Sequence, residues 1–167
     1  MEKEPILTRG FVFCFIAAFC NSIIFYMLIS ISAEYAREFG ASGSVQGLAS
    51  GIYVLSMLCT RFFFSSILAR IGWKRMNLFF HPLHIASCFL YFAISDLPSL
   101  LAVRFIHGLF YGLASSSVLP TGTYHLAKSR YGEANGYMMT GITLAIAVGP
   151  FMAGVIYDGF GPSGCFT

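Results

Sequence analysis

Leu97–Ala127 reads LPSLLAVRFIHGLFYGLASSSVLPTGTYHLA, and Arg104 is the one formal charge in it. A helix needs about 20 mostly apolar residues to cross the bilayer core. This stretch is long enough, and four others resemble it: Phe11–Ala33, Val45–Ala69, Met76–Ser95 and Ala134–Tyr157. Arg61 is the only formal charge in those four. The pattern predicts an all-α membrane protein, a bundle of five transmembrane helices. The spans fall at about 11–33, 45–69, 76–95, 97–123 and 134–157. No linker or low-complexity segment divides residues 1–167, so they form one bundle.

Composition agrees. Hydrophobic residues make up 57% of the chain and charged residues 10%, against about 25% charged in a soluble domain. That leaves too little polar surface to cover a water-exposed core. The net charge of +3 is too small to suggest a nucleic-acid partner. The five cysteines form no CxxC pair. Four of them lie in spans, where cysteine acts as a small hydrophobe. The first apolar run is too long for a signal-peptide core and reads as a retained span.

Loop charges set the orientation. With the amino terminus in the cytoplasm, Lys3, Arg9, Arg70, Lys74, Arg75, Lys128 and Arg130 all lie inside. Outside, Arg37 stands alone between Glu34 and Glu38, and the next outer turn is Asp96-Leu97-Pro98. The positive-inside rule favours this arrangement. Five spans then put the carboxyl end outside, and Asp158–Thr167 reads as the approach to a sixth span beyond the sequence.

Lipid tails are as apolar as leucine, so close backbone approach through small residues holds spans together. Three stripes at steps of four offer it: Gly43, Gly47 and Gly51; Gly108, Gly112 and Ser116 after Arg104; and Gly141, Ala145, Gly149 and Ala153. Pro82, Pro120 and Pro150 each remove a backbone donor and favour a kink.

Polar residues inside spans are the candidates for function. Arg104 lies about 7 residues into its span, or roughly 10 Å. It shares a face with Gly108 and Gly112, which points it at protein rather than lipid. Arg61 lies nearer the cytoplasmic end of its span, where snorkelling to headgroups competes with a functional role. Asn21, beside Ser22, sits in mid-span and needs a partner on another helix or on a substrate. His81, His84 and His107 titrate near neutral pH in water. They lack metal-ligand spacing, although His81 and His84 share a face. Glu34 and Glu38 read as a solvated helix end, and no carboxylate falls mid-membrane. No phosphate loop, nucleophile elbow, HExxH motif or cofactor motif is present, so the residues do not describe an enzyme.

Several stretches resemble the amino-terminal half of a major facilitator superfamily transporter. Ser65–Arg75 is similar to that family's G-x-L-a-D-R-x-G-R-K loop, with Arg70, Gly72 and Lys74 matching and Ser65 and Ala69 replacing the first Gly and the Asp. Arg104, Gly108 and Gly112 match its R-x-x-x-G-x-x-x-G signature. Gly149-Pro150 with Gly154 resembles its antiporter signature, one glycine short. Lys128–Tyr137 resembles a loop of bacterial drug- or sugar-efflux members.

The resemblance covers residues 10–160 and implies an incomplete six-helix half of a carrier. The implied activity is proton-coupled efflux of a small organic solute by alternating access, in a cell membrane, as part of a longer protein. Its implied partners are the lipid bilayer, the solute, protons and a missing carboxyl-terminal half. The resemblance assigns Arg104 to proton transfer, and Asn21, Arg61 and His107 join it as candidates for the substrate or coupling pathway. The competing reading is a non-transporting membrane protein, or the inactive fragment of a disrupted transporter gene.

Overall fold

The computed structural model describes residues 5–124, 126 and 128–164, with the side chains of residues 65, 67–69 and 162–164 outside the described set. The signature departures at Ser65 and Ala69, the basic residue Lys3 and the cysteine Cys165 therefore lie outside it.

Among the described residues five helices follow one another: α1 (Arg9–Glu38), α2 (Gly43–Ile71), α3 (Trp73–Cys88), α4 (Leu97–Thr123) and α5 (Tyr131–Gly164). Short 3₁₀ segments cover Phe89–Ala93 and Lys128–Arg130. α1, α2, α4 and α5 are long and apolar enough to cross a membrane. The third predicted span is built differently. Its α-helical part has only 16 residues and carries Lys74, Arg75, Asn77, His81, Pro82 and His84. The 3₁₀ segment continues it directly and rises faster, about 2.0 Å per residue against 1.5 Å. Together they reach about 34 Å, enough for the hydrocarbon core.

Local chemistry sets the helix ends. Thr8 caps α1 by accepting from the Phe11 amide at 3.2 Å. Asp96 caps α4 by accepting from the Ser99 amide at 2.8 Å, and the Ser99 hydroxyl accepts from the Asp96 amide at 3.1 Å. Hydrogen bonding from the Ser99 side chain and amide holds the Asp96 carboxyl below its ordinary range. The cap is therefore fully present above the usual carboxylate pKa and is lost as pH falls through the depressed one. Gly72 alone separates α2 from α3, at φ 86° and ψ 140°. Glycine adopts that backbone readily and other residues do not, which gives the matched signature glycine a structural reason.

The interior is small and polar, and the exterior is large and apolar. Ser22, Ser32, Ser56, Thr60, Ser87, Ser117, His84, His107 and Arg104 are buried, while Phe13, Phe62, Phe63, Phe151 and Phe160 are each more than 70% exposed. Water would not tolerate that distribution, whereas lipid does. The buried hydroxyls mostly close on their own helix: Ser56 donates to the Tyr53 carbonyl at 2.8 Å and Thr60 to the Ser56 carbonyl at 3.0 Å.

α1 packs most extensively on α5, and α4 packs on both α2 and α3. The α4 stripe lies against α2. A Cβ at Gly112 would sit 3.0 Å from the Met57 carbonyl oxygen and 3.0 Å from Thr60 Cβ, and one at Gly108 would overlap Ser56 Oγ and the Tyr53 carbonyl oxygen. The α5 stripe lies against α1, where a Cβ at Gly149 would come within 2.8 Å of Tyr26 Cβ and 3.0 Å of the Met27 amide nitrogen. Gly149→Leu should therefore cost about 1–3 kcal/mol by overpacking. A lower melting temperature in detergent is the expected readout, and unchanged melting would count against this contact.

One packing expectation fails. Gly43, Gly47 and Gly51 have nothing within 4 Å of an added Cβ, so the α2 stripe is not a close contact. α4 touches α2 instead at Ala49, Tyr53, Ser56 and Thr60, all of them buried. Gly154 likewise faces open space, while Ala153 is buried. The reason is angular: 145, 149 and 153 follow at steps of four, and 154 lies about 100° further round. α5 also keeps helical dihedrals through Pro150 and departs from them at Gly161, φ 74°.

Candidate functional site

An open cavity of about 450 Å³ lies among α1, α2, α4 and α5. It follows from the packing. α4 and α5 both lean on α1 but barely touch each other, and among the described residues α2 and α5 share no contact. The gap above α1 is the cavity. Its polar side is formed by Asn21, Ser22, Arg61, Tyr111, Ser115 and Ser116. Met138, Met139 and Ile142 from α5 make an apolar wall opposite.

The cavity lies near mid-depth, displaced toward the end of the bundle that carries Arg70–Arg75 and Lys128–Arg130. Tyr111 is at the middle of α4, and Arg61 is four residues past the middle of α2, about 6 Å along the axis. Arg61 does not stretch toward the helix end, as a snorkelling side chain would. Its Nη2 donates across to Ser115 Oγ on α4 at 3.2 Å. Asn21 donates from Nδ2 to His81 Nδ1 at 3.5 Å, a bridge from α1 to α3 that also borders the cavity.

Arg104 is placed elsewhere. It is fully buried in the α2–α4 seam, away from the cavity. Nε donates to the Ala49 carbonyl at 3.1 Å, Nη2 to the Ser50 carbonyl at 3.3 Å and Nη1 to the Tyr91 hydroxyl at 3.4 Å. The guanidinium carbon lies 4.7 Å from the centroid of the Tyr53 ring, a cation–π distance. Every edge of the guanidinium thus meets protein.

His107 continues this group. Its Nδ1 lies 3.1 Å from the Tyr91 hydroxyl and its Nε2 lies 3.6 Å from Cys88 Sγ. One consistent sense of donation runs Arg104 to Tyr91, Tyr91 to His107, His107 to Cys88. His84 packs against His107 at 4.7 Å between ring centroids. Both His84 ring nitrogens are buried without a hydrogen-bond partner, a costly arrangement for a polar ring. The structure therefore divides the candidates. Asn21 and Arg61 line the cavity, and Arg104 and His107 form a buried cluster beside α2 and α3.

The matched loop residues lie at the bundle's end. Arg70 and Lys74 are exposed, and Lys74 Nζ sits 5.2 Å from the Tyr124 ring centroid, linking the start of α3 to the end of α4. Gly108, Gly112 and Gly149 are contact points, and Pro150 is exposed. Sequence reasoning missed Asn77. Its Nδ2 donates to Thr121 Oγ1 at 2.6 Å and its Oδ1 accepts from Ser117 Oγ at 2.7 Å, joining α3 to α4. A lone amide in an apolar run was the available signal. Ser115, Ser116 and Tyr111 carried none, because serine and tyrosine are common in spans.

Residues 14–167 match the Major Facilitator Superfamily. The chain is also similar to an uncharacterized MFS-type transporter of Methanocaldococcus jannaschii, at 26% identity over 162 residues. That similarity takes in 93% of this chain and 40% of the relative, so the chain spans less than half of the relative's length.

Proposed function

Because the chain belongs to the Major Facilitator Superfamily, matching it over residues 14–167, we propose that its helices form one side of a carrier. That carrier moves a small organic solute across a membrane by alternating access. The chain is a multi-pass membrane protein. One observation carries the transport reading: a cavity of about 450 Å³ inside a membrane bundle, with polar groups contributed by three helices and an apolar wall by a fourth. Small-molecule sites run to about 300–1,000 Å³. Carriers of this type hold their solute near the bilayer midplane, between two sets of helices. In this reading the remaining helices of a longer protein close the open side. The cavity offers binding groups rather than an arranged acid, base and nucleophile, so the reading is a carrier and not an enzyme.

Proton-coupled efflux is the finer reading. The antiporter-like Gly149-Pro150 supports it, and so does Arg104, the residue that the resemblance assigns to proton transfer, which is linked through the Tyr91 hydroxyl to His107. The test uses inside-out vesicles containing the full-length protein, energised to an acid interior and followed with a quenched pH dye. A transported solute should restore part of the fluorescence as protons leave in exchange. If no solute in a broad panel of organic anions, cations and neutral compounds restores it, the exchange reading fails.

The same reading puts the protein in the cell membrane with its amino terminus in the cytoplasm, supported by the seven basic residues at that face against Arg37 at the other. In intact cells an impermeant thiol reagent should miss Lys74→Cys and reach Asp96→Cys. Labelling of the first and not the second would reverse the topology.

A further inference from the structure

We propose that the cavity recognises the anionic group of an amphiphilic organic solute, a carboxylate or a comparable oxyanion, through Arg61. The inference rests on the carrier reading and names the solute class for the same cavity. Among the described residues, Arg61 is the only charged one lining it. The guanidinium has five donors, and among the described residues it makes one hydrogen bond, to Ser115 Oγ. Arg104 shows the contrast, because its donors are engaged by Ala49, Ser50 and Tyr91.

A guanidinium within the membrane whose donors are mostly unengaged, unlike those of Arg104, favours an anion, and none of the described carboxylates supplies one. Glu34 pairs with Arg37 and Glu133 with Arg130, at 2.7 Å and 2.8 Å. Asp96 caps α4. Glu38 closes α1, and Asp158 lies near the far end of α5. All lie at helix ends, away from the cavity lining.

Around Arg61, the hydroxyls of Tyr111, Ser115 and Ser116 and the amide of Asn21 add neutral hydrogen-bonding groups. Arginine pairs with carboxylates and similar oxyanions through parallel N–H···O bonds, which favours a planar anionic group over a neutral amide. The Met138–Met139–Ile142 wall opposite suits an apolar body, and methionine adapts to varied shapes. The solute is therefore charged at one end and apolar at the other.

The test compares three probes of one shape, 2-naphthoate, 2-naphthamide and 2-naphthylmethylammonium, binding to the purified full-length protein. Naphthoate should bind at least tenfold more tightly than either of the others. Arg61→Gln should bring the three within about twofold of one another. Ser115→Ala, which removes only the hydroxyl that orients the guanidinium, should weaken naphthoate by a smaller factor. It stands as the second variant if Arg61→Gln folds poorly. Equal binding of the three probes, no binding of any, or a naphthoate preference that survives Arg61→Gln would overturn the assignment. So would a preference for the cation, which would mean that a carboxylate from the rest of the protein already neutralises Arg61. Proteoliposome flux separates the two levels. Anion-selective binding without flux defeats the carrier reading, and flux without anion preference defeats only the solute class.

Discussion

Gly108→Leu should leave almost no correctly folded protein. Even the first added carbon at this position overlaps Ser56 Oγ and the Tyr53 carbonyl oxygen of α2. A hydroxyl can rotate away, but a helical carbonyl cannot move without its helix. Relief requires α2 and α4 to separate along the seam that also holds Gly112 and Arg104. Overpacking costs about 1–3 kcal/mol where side chains can adjust, and more where they cannot. The loss here should reach or exceed about 3 kcal/mol, a large share of the roughly 5–15 kcal/mol that keeps a typical domain folded. Gly51→Ala is the control. Its added carbon meets nothing within 4 Å, and alanine's helix propensity should add up to about 1 kcal/mol. Melting of the two variants in detergent should move in opposite directions. Native melting of Gly108→Leu would show that α2 and α4 do not meet at this face.

Arg104→Ala should be nearly as damaging. The truncation leaves a void in a fully buried site and removes three donated hydrogen bonds. Large-to-alanine changes in packed interiors cost about 2–5 kcal/mol. The Ala49 and Ser50 carbonyls retain their helical partners, so the void and the loosened seam account for most of the loss. Arg104→Lys should recover only part, because a point charge cannot reach both α2 carbonyls and the Tyr91 hydroxyl together. The change also disconnects His107, whose Nδ1 faces that same hydroxyl. Proton-linked flux should therefore fall in both variants, with melting lowered more in alanine than in lysine. Wild-type melting and flux in Arg104→Ala would contradict both effects.

Much of the fold was legible because a membrane span is a statement about length and apolarity. α1, α2, α4 and α5 show it plainly. The third was less regular than the sequence suggested. Its polar first half makes it short as an α-helix, and the 3₁₀ turn at Phe89–Ala93 supplies the remaining length. The glycine stripes illustrate what a single helix cannot reveal. Gly43-Gly47-Gly51 and Gly108-Gly112 carry the same spacing, yet only the second meets a neighbour. Which stripe is used depends on how helices far apart in sequence are arranged.

The candidate site was legible in the same partial way. A charged or amide side chain in a span stands out, so Asn21, Arg61 and Arg104 could be named. Their environments could not. Burial against main-chain carbonyls and exposure to a cavity both draw an arginine inward, and the sequence does not separate Arg104 from Arg61 on that ground. The cavity itself comes from the divergence of α4 and α5 over α1, which no residue pattern records. Its serine, tyrosine and methionine lining is commonplace in spans.

The most direct test of alternating access through this cavity needs no knowledge of the solute. Ser116 lines the cavity, and Ser116→Cys in an otherwise cysteine-free full-length protein offers one thiol there. Phe62→Cys, at a position 80% exposed and outside the cavity lining, is the companion. A membrane-impermeant maleimide is applied to sealed vesicles, right-side-out and inside-out. Labelling of Ser116→Cys from both faces, with Phe62→Cys labelled from neither, is the predicted result. Labelling of Ser116→Cys from one face only, or from none, would contradict it.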